Sequence, residues 1–349
     1  MPDAEILFVG AEGKMETELV PREGFEIRTV KITNLQRKMT VQGVLHNLKT
    51  VKNLAGSMWS ARRILKDFKP DVAIGTGGYV CYPVLRQAAK RGIPTALHEA
   101  NAVPGLTTKL LATKVDRLMT GFEEEETTYK PSVPLIYTGT PVRDGFLART
   151  KEEARAELGI PLDKPLVVSF WGSLGASRMN TAMVDFIRRA CQEQSFRQIH
   201  ATGGGDDGLQ VMMSALGVLG VSDPLSYGVD VRAFIYDMPL VLAAADLVLC
   251  RAGASTLAEL TAMGKPAVLV PSPNVTANHQ EENAKALVKG GGAAMLLERD
   301  CAPDVLYDMV QGLLADRWRL SEMAVSMRKM GNPEATERIV EIVLEIMKK

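Results

Sequence analysis

The sequence has few of the features that mark several common classes of protein. Its 349 residues include only 4 cysteines, none in a CxxC pair, and aromatic residues make up 5%. Neither a disulfide framework nor a zinc site is indicated, and free thiols in a reducing compartment are expected. No apolar run reaches the length of a membrane-spanning helix, and the first residues do not resemble a signal peptide. We therefore expect a protein that stays on the cytoplasmic side of the membrane.

An excess of charge of one sign is also lacking. The chain has 41 Lys+Arg and 41 Asp+Glu, which gives a formal net charge of zero. This balance argues against a general nucleic-acid binder, which normally carries a strong basic excess. With 46% hydrophobic residues the chain is too apolar to be disordered, and its length predicts two domains, each able to bury a core.

Short apolar runs alternate with longer amphipathic stretches along most of the chain. Continuous apolar runs are typical of parallel strands buried on both faces, so the alternation predicts βαβ units and an α/β fold. The predicted strands are Ile6–Val9, Val72–Gly75, Pro94–His98, Leu118–Gly121, Leu135–Thr138, Leu166–Phe170, Ile199–Thr202, Val231–Ile235, Leu247–Cys250, Ala267–Val270 and Ala294–Leu297. The clearest predicted helices are Val80–Arg91, Ser177–Gln192, Thr256–Met263 and Asn278–Lys289.

A domain boundary is predicted where Gly139-Thr140-Pro141 precedes a charged linker and a new strand. We expect an N-terminal domain at residues 1–143 and a C-terminal domain at residues 144–331. A final helix at residues 332–349, behind the helix breaker Gly331-Asn332-Pro333, would pack back on the first domain.

Glycine-rich turns follow four of the predicted strands. In an open α/β sheet such turns let a ligand approach the backbone, and the next helix offers free N–H groups to phosphate. None has the Walker A or GxGxxG spacing, so neither an ATPase nor a nicotinamide enzyme is favoured. The four turns lie at Gly75–Tyr79, Gly172–Ser177, Gly203–Gly205 and Arg251–Thr256.

The segment from Leu249 to Glu259 is the most informative of these. Ser255 or Thr256 is expected to cap a helix whose N–H groups face a phosphate, and Arg251 can pair with the same charge. Glu259 lies one turn further on, where a carboxylate can accept both hydroxyl protons of a ribose. A capping box between Thr256 and Glu259 explains the same spacing equally well.

Two other segments carry ionisable residues in a functional pattern. His98-Glu99 ends a buried strand and enters a loop, where such residues favour a site, although a structural hydrogen bond of His98 is the alternative. The stretch Leu45–Lys69 has six basic residues against one acid, a local charge of +5 interleaved with apolar residues. It predicts either a membrane-surface helix or a solvated helix with its apolar stripe on the core.

Six motifs, spread over nearly the whole chain, resemble those of glycosyltransferase family 28 in their order. They lie at Gly75–Val80, His98–Thr107, Gly139–Arg143, Gly172–Ala176, Cys250–Thr256 and Asn278–Ala284. Within the family, the match is to enzymes that transfer N-acetylglucosamine (GlcNAc) from UDP-GlcNAc to a lipid-linked muramoyl-pentapeptide in peptidoglycan biosynthesis. The resemblance implies a GT-B fold, with two Rossmann-like domains whose parallel sheets face each other across a cleft.

The resemblance also implies a UDP-GlcNAc site in the C-terminal domain. The main chain of Ile235 would face the uracil, Glu259 would hold the ribose, and Gln280 with His279 would contact the GlcNAc hydroxyls. The other implied donor-side residues are Ser173, Ala254, Ser255 and Thr256 at the diphosphate, Arg143 and Arg251 near the nucleotide, and Asn101 on the opposite side of the sugar.

The implied reaction is an inverting displacement of UDP by the muramoyl C4 hydroxyl. Tyr79, His98 and Glu99 would line the acceptor side as catalytic residues, since the hydroxyl needs a base. No DxD motif is present, so we expect no tightly held metal. We also expect no cofactor. The implied partners are UDP-GlcNAc, the lipid-linked acceptor and the anionic cytoplasmic membrane surface, with no nucleic acid. The product would serve cell-wall biogenesis, and with it cell shape and division.

Departures from the family pattern leave alternatives open. The family begins with a strand, a histidine-containing glycine-rich turn and a helix, whereas this sequence begins at what resembles the second strand. We therefore expect a gap or an exposed edge in the first sheet. Leu174 and Ala100 also stand where the family has glutamine. The alternatives are a UDP-GlcNAc-binding but inactive relative, or a UDP-GlcNAc 2-epimerase of the same architecture.

Overall fold

The computed structural model describes residues 4–32, 41–123, 129, 133, 135–204 and 207–348, with the backbone alone at 41–52 and 277. The chain divides into two compact units. The first comprises the residues up to Thr138 together with those from Glu337 onward, and the second comprises Gly139–Thr336.

The described strands of the first unit form two parallel sheets. A two-stranded sheet pairs β1 with β2, and a four-stranded sheet has the order β3-β4-β5-β6. Within the described residues no strand joins β1 or β2 to β3, and Ile6, Phe8 and Ile74 are exposed. β3 is thus an edge strand of the four-stranded sheet. The strands are β1 Leu7–Ala11, β2 Glu26–Val30, β3 Ala73–Gly75, β4 Thr95–Glu99, β5 Arg117–Thr120 and β6 Leu135–Tyr137.

Helices cover both faces of the four-stranded sheet. The helices of this unit are α1 Glu16–Arg22, α2 Val41–Phe68, α3 Cys81–Ala89, α4 Leu106–Leu111 and, from the end of the chain, α13 Ala335–Met347. Leu97 of β4 belongs to a core cluster with Leu65 and Leu85, whereas its neighbour Ala96 packs with Ile342 of α13. Because successive strand residues face opposite sides, β4 is buried throughout, as its continuous apolar run predicts.

Helix α2 has one buried face and one exposed basic face. Ser57, Ala61 and Leu65 are buried, whereas Trp59 is 65% exposed and lies beside the exposed Arg62. The side chains of residues 45–52 in the predicted basic stretch, with Lys49 and Lys52, lie outside the described residues. Among the described helices, none is both long enough and apolar enough to cross a membrane.

The second unit is built on one six-stranded parallel sheet of order β12-β11-β10-β7-β8-β9. Its strands are β7 Leu166–Phe170, β8 Arg197–Ala201, β9 Val229–Arg232, β10 Leu247–Cys250, β11 Ala267–Leu269 and β12 Ala293–Met295. Its helices are α5 Lys151–Glu157, α6 Ser177–Glu193, α7 Gly208–Val218, α8 Met238–Ala244, α9 Ala254–Met263, α10 His279–Lys289, α11 Pro303–Ala315 and α12 Arg317–Met330. The strand order reverses between β7 and β10, and ligands bind outside the carboxyl ends of strands at such a switch point.

The eleven predicted strands all have a counterpart in the structure. The largest displacement is at β9, predicted at Val231–Ile235 but ending at Arg232. Strand β2 was not predicted, because its sequence Glu-Ile-Arg-Thr-Val has only two apolar residues and forms no apolar run. The α/β fold with parallel sheets is confirmed.

Candidate functional site

A cavity of about 510 Å³ opens at the switch point of the second unit. The loops after β7 and β10, together with the first turns of α6 and α9, supply most of its wall. Of the residues predicted for the donor site, Arg251, Thr256 and Gln280 line this cavity. The full lining is Phe170, Trp171, Gly172, Gly175, Ala176, Ser177, Arg178, Arg251, Gly253, Thr256, Ser272, Asn274, Gln280 and Glu298.

The loop after β7 is pressed against the loop after β8 so closely that only glycine fits. Gly175 has φ +75°, and a Cβ there would lie 2.1 Å from the carbonyl oxygen of Thr202. Gly203 has φ +96°, and its Cβ would lie 2.2 Å from the amide nitrogen of Gly175. The Gly204 amide also donates to the Ser173 carbonyl at 2.9 Å. These contacts fix the loop so that the amino end of α6 points at the cavity.

Helix α9 begins earlier than the sequence predicts. Gly253 is its N-cap, with extended φ −69° and ψ 136°, and no side chain caps the helix. The prediction that Ser255 or Thr256 caps this helix is wrong, and the alternative capping box of Thr256 with Glu259 is not formed either. Both residues already belong to the first turn, whose backbone N–H groups lack intrahelical acceptors. A free helix start at the cavity wall is suited to an anion.

Arg251 is held in place by its neighbours at the carboxyl ends of β10 and β11. Its Nη1 donates to the carbonyls of Val270 at 3.1 Å and Pro271 at 3.3 Å. Its Nη2 pairs with Glu298 Oε2 at 2.5 Å. The guanidinium carbon also lies 5.8 Å from the centre of the Trp171 ring. The donors of Arg251 are therefore largely used within the protein.

Glu259 is partly buried on α9, and burial raises the pKa of its carboxyl to about 7. The Arg143 guanidinium acts in the opposite direction and lowers that pKa. Arg143 itself is exposed and lies over the Phe146 ring, 5.4 Å from its centre. The structure thus brings two of the predicted nucleotide-binding residues within electrostatic range of each other, although neither lines the cavity.

Of the remaining predicted donor residues of the second unit, only Gln280 lines the cavity. Its Oε1 accepts a hydrogen bond from the Ser272 amide at 2.8 Å. His279 begins α10, and its Nδ1 lies 2.7 Å from the Thr276 carbonyl oxygen. Ser173 is exposed beside Gly172, and Ile235 is buried in the loop after β9. Ala254 and Ser255 lie in the first turn of α9 without lining the cavity.

In the first unit, Glu99 holds the loop that follows β4. Its side chain is buried, and its Oε1 accepts hydrogen bonds from the Asn101 amide at 3.1 Å and from Asn101 Nδ2 at 2.9 Å. Its Oε2 accepts from the Gly105 amide at 3.1 Å and from Thr108 Oγ1 at 2.5 Å. Four donors therefore converge on a carboxylate that was predicted to be catalytic, and they tie it to both ends of the loop.

His98 lies near the end of strand β4, and Tyr79 lies in the turn that follows the neighbouring strand β3. His98 is buried, and Tyr79 is half-buried in the turn after β3. Gly77 in that turn has φ +89°, and a Cβ on it would lie 3.9 Å from the His98 carbonyl oxygen. The structure thus brings the two predicted acceptor-side segments together at one edge of the four-stranded sheet.

Sequence reasoning missed several residues of the cavity wall. Trp171 and Arg178 flank the glycine-rich turn after β7, so their place next to a recognised motif was the available signal. The buried Trp171 Nε1 has no hydrogen-bond partner in the described part of the chain. Glu298 follows the short strand β12 and has no sequence signal, because only the sheet order brings it to Arg251.

Comparison with known proteins gives a consistent result over the whole chain. The model of the glycosyltransferase family 28 N-terminal domain matches residues 2–120, and that of the C-terminal domain matches residues 166–339. A protein of Acetivibrio thermocellus named UDP-N-acetylglucosamine--N-acetylmuramyl-(pentapeptide) pyrophosphoryl-undecaprenol N-acetylglucosamine transferase is 46% identical, over 99% of this chain and 91% of its own length. A protein of the same name from Listeria monocytogenes is 41% identical over 99% of this chain and 92% of its own length.

Comparison with solved structures agrees with the sequence comparisons. The crystal structure of Acinetobacter baumannii MurG is 26% identical with a TM-score of 0.75, over 99% of this chain and 92% of its own. A putative UDP-N-acetylglucosamine 2-epimerase from Listeria monocytogenes has a TM-score of 0.63 but only 12% identity, over 97% of this chain and 95% of its own. That second likeness shows a shared fold alone. With both of its family models matched and relatives above 40% identity over nearly its full length, the chain belongs to glycosyltransferase family 28.

Proposed function

We propose that this chain transfers GlcNAc from UDP-GlcNAc to the C4 hydroxyl of undecaprenyl-diphospho-muramoyl-pentapeptide, a step of peptidoglycan biosynthesis. The observation that carries the proposal is the cavity at the switch point of the second unit. Two helix amino ends and arginine side chains surround it, in a chain 46% identical to a relative named for that reaction. This arrangement is suited to the diphosphate of a sugar nucleotide.

The donor is proposed to bind along the second unit from Ile235 to Gln280. The main chain of Ile235 would contact the uracil, and the Glu259 carboxylate would accept the ribose hydroxyl protons. The first turns of α6 and α9 would hold the diphosphate, and the GlcNAc would lie against Gln280, which lines the cavity. Because Oε1 of Gln280 already accepts from Ser272, its amide Nε2 is the group left to donate to a sugar hydroxyl.

The chemistry is an inverting substitution at the anomeric carbon. The acceptor oxygen forms a bond to C1 while the bond from C1 to the phosphate oxygen breaks, and UDP leaves with the electron pair. N–H groups at two helix starts stabilise the charge that develops on the diphosphate, and they require no reorganisation to do so. The hydroxyl proton passes to a base on the acceptor side. His98 and Tyr79 are the proposed acceptor-side residues, with Asn101 near the donor sugar.

Membrane association is proposed to use helix α2. Trp59, Arg62, Arg63 and Lys66 are exposed at spacings of three and four residues, so they share one face of the helix. A basic face with an exposed tryptophan is suited to an anionic membrane surface, where lipid-linked acceptors are found. We therefore propose a peripheral protein at the cytoplasmic face of the membrane.

The direct test is a transfer assay with the purified chain, radiolabelled UDP-GlcNAc and the lipid-linked muramoyl acceptor in anionic vesicles. We expect a labelled disaccharide lipid and an equal amount of UDP. A matched reaction without acceptor should release no UDP. Calorimetry with UDP-GlcNAc accompanies the assay, since binding without transfer contradicts the enzyme and supports an inactive donor-binding relative. Formation of an epimeric sugar nucleotide from UDP-GlcNAc alone, seen by NMR, would instead favour an epimerase.

A further inference from the structure

Two arginines line the cavity of the second unit, and they differ in how far the protein occupies their guanidinium groups. Arg251 donates hydrogen bonds from Nη1 to the carbonyls of Val270 and Pro271, and its Nη2 forms an ion pair with Glu298. The side chains of Arg251 and Glu298 are 12% and 8% exposed. The charge of Arg251 is therefore neutralised by a buried partner, and its orientation is fixed before any ligand arrives.

Arg178 is the other arginine in the cavity wall. It is exposed, and in the described part of the chain its guanidinium makes no hydrogen bond and no ion pair. Arg178, Arg251 and Glu298 are the charged residues of the lining, so one positive charge remains unpaired there, and Arg178 carries it.

In the absence of a ligand, the position of Arg178 is unfavourable for the stability of its helix. It is the second residue of α6, a helix of 17 residues, close to the positive end of the helix dipole. A cation at this end is repelled, whereas an anion bound between the helix start and the arginine would be attracted by both. A negatively charged ligand would therefore offset the repulsion between Arg178 and the positive end of the α6 dipole.

The cavity corresponds to one end of the proposed donor. Gln280, the proposed sugar contact, lines it, whereas Glu259 and Ile235, the proposed ribose and uracil contacts, do not. An anion in this cavity is therefore the phosphate next to the sugar. We propose that Arg178 binds the β-phosphate of the nucleotide sugar, and that Arg251 is a positioning residue that holds the cavity wall together. This inference rests on the proposed donor, a uridine-diphosphate sugar.

The test is calorimetry of the full chain with UDP-GlcNAc, UDP and UMP. In Arg178→Gln we expect UDP and UDP-GlcNAc to bind about 10- to 100-fold more weakly, the loss typical of a charge-assisted hydrogen bond. UMP lacks the β-phosphate and should bind nearly as it does to the unchanged protein. Arg178→Lys should recover part of the affinity, and the difference between variant and parent should shrink as salt is raised.

Arg317→Gln is the matched control. Arg317 is likewise an exposed arginine in the first turn of a helix, but it lies outside the cavity lining, so its replacement should leave all three affinities unchanged. Thermal unfolding of each variant shows whether the fold is retained. If UDP binds Arg178→Gln as tightly as the parent, or if UMP and UDP are weakened equally, the role of Arg178 is wrong while the proposed donor stands. If the parent binds neither UDP nor UDP-GlcNAc, the proposed function itself fails.

Discussion

Glu99 lies where the sequence predicts a catalytic group, yet its surroundings are those of a residue that holds a loop. A carboxylate that already accepts four hydrogen bonds has little capacity left to take a proton from an acceptor hydroxyl. The same four bonds connect the end of β4 to the start of α4. We therefore interpret Glu99 as a positioning residue, with His98 and Tyr79 closer to the chemistry.

Replacing Glu99 by glutamine separates the two roles. The amide turns one acceptor into a donor that faces other donors, so we expect a loss of about 1–3 kcal/mol in the free energy of unfolding and a raised KM for the acceptor. The acid limb of the kcat–pH profile should remain, which transfer assays across pH will show. Thr108→Val removes one of the four bonds and should give a smaller loss of the same kind. Disappearance of the acid limb in Glu99→Gln would identify Glu99 as the base.

Glu259 makes donor binding depend on pH. Its pKa of about 7 lies above the ordinary value of 4.5, because burial disfavours the charged form. Only the carboxylate can accept both ribose hydroxyl protons, so affinity for UDP-GlcNAc should fall as pH is lowered through 7, about tenfold per pH unit at most. Calorimetry between pH 6 and 8 measures this change in affinity. The Glu259→Gln variant should bind UDP-GlcNAc weakly, with an affinity that does not depend on pH. A parent affinity that does not change over this range contradicts the prediction.

The same shift affects stability in the opposite direction. Because the pKa of Glu259 is raised on folding, the native state binds the proton more tightly than the unfolded state does. The stabilisation is complete below about pH 4.5 and is lost as pH rises through about 7. A bound ribose that donates to the carboxylate would lower this pKa and remove the loss.

At the scale of elements, the loop between β7 and α6 depends on one glycine. In Gly175→Ala, the added Cβ would overlap the Thr202 carbonyl oxygen and the backbone would keep an unfavourable positive φ. We expect the loop to shift, a loss of at least tenfold in UDP-GlcNAc affinity, and a lower thermal midpoint.

Gly159→Ala is the control for that prediction. Gly159 has φ +66° with nothing within 4 Å of its added Cβ, so only the conformational cost of about 1–2 kcal/mol applies. Its donor affinity should be unchanged. Equal affinities in the two variants would show that the packing of the Gly175 loop is not needed for binding.

Helix α2 offers a test of the proposed membrane contact. Each basic residue near an anionic surface contributes about 1 kcal/mol, so the triple change of Arg62, Arg63 and Lys66 to glutamine should weaken vesicle binding roughly 100-fold. Flotation with phosphatidylglycerol vesicles measures the effect. Transfer to a short-chain, water-soluble acceptor should be unaffected.

The control for α2 removes the same charge elsewhere. Lys289, Arg299 and Arg317 are exposed residues of the second unit, and their triple change to glutamine also lowers net charge by three. Vesicle binding should then stay near that of the parent. If both triple variants lose binding equally, the attraction is a property of overall charge and not of the α2 face.

At the scale of the whole molecule, a charge network around the buried Arg155 fixes the amino-end edge of the second sheet. Asp246 pairs with both Lys151 and the buried Arg155, and it accepts a hydrogen bond from the Leu166 amide at 2.7 Å. The network joins α5 to the starts of β7 and β10. It lies at the edge opposite the cavity and therefore serves folding.

Asp246→Asn should destabilise the second unit by about 3–5 kcal/mol, because it leaves the buried Arg155 charge without a counterion. Differential scanning calorimetry will show a lowered midpoint. Asp163→Asn removes the exposed partner of Arg197 and should change the midpoint far less. Similar effects of the two variants would mean that burial does not set the strength of the Asp246 network.

Features of the fold that depend on neighbouring residues could be predicted from the sequence, whereas features that depend on contacts between distant residues could not. Apolar runs identified the strands because a strand buried on both faces must be apolar along its length, and β2 was missed because only part of it is buried. The sequence identified the glycine-rich turn at Gly172–Gly175. It could not show that Gly175 is required because the Thr202 carbonyl lies against it.

The sequence by itself determined the α/β class, the glycosyltransferase family and the segments that form the site, since these follow from local periodicity and from motifs in order. Tertiary structure alone decided which charges are free. Arg251 and Arg178 look alike as residues beside glycine-rich turns, and only the sheet order brings Glu298, 47 positions along the chain, to neutralise the first. Glu99 is likewise occupied by donors that folding delivers. Electrostatic interactions act through space, so the roles of these side chains depend on the fold and not on their spacing in the chain.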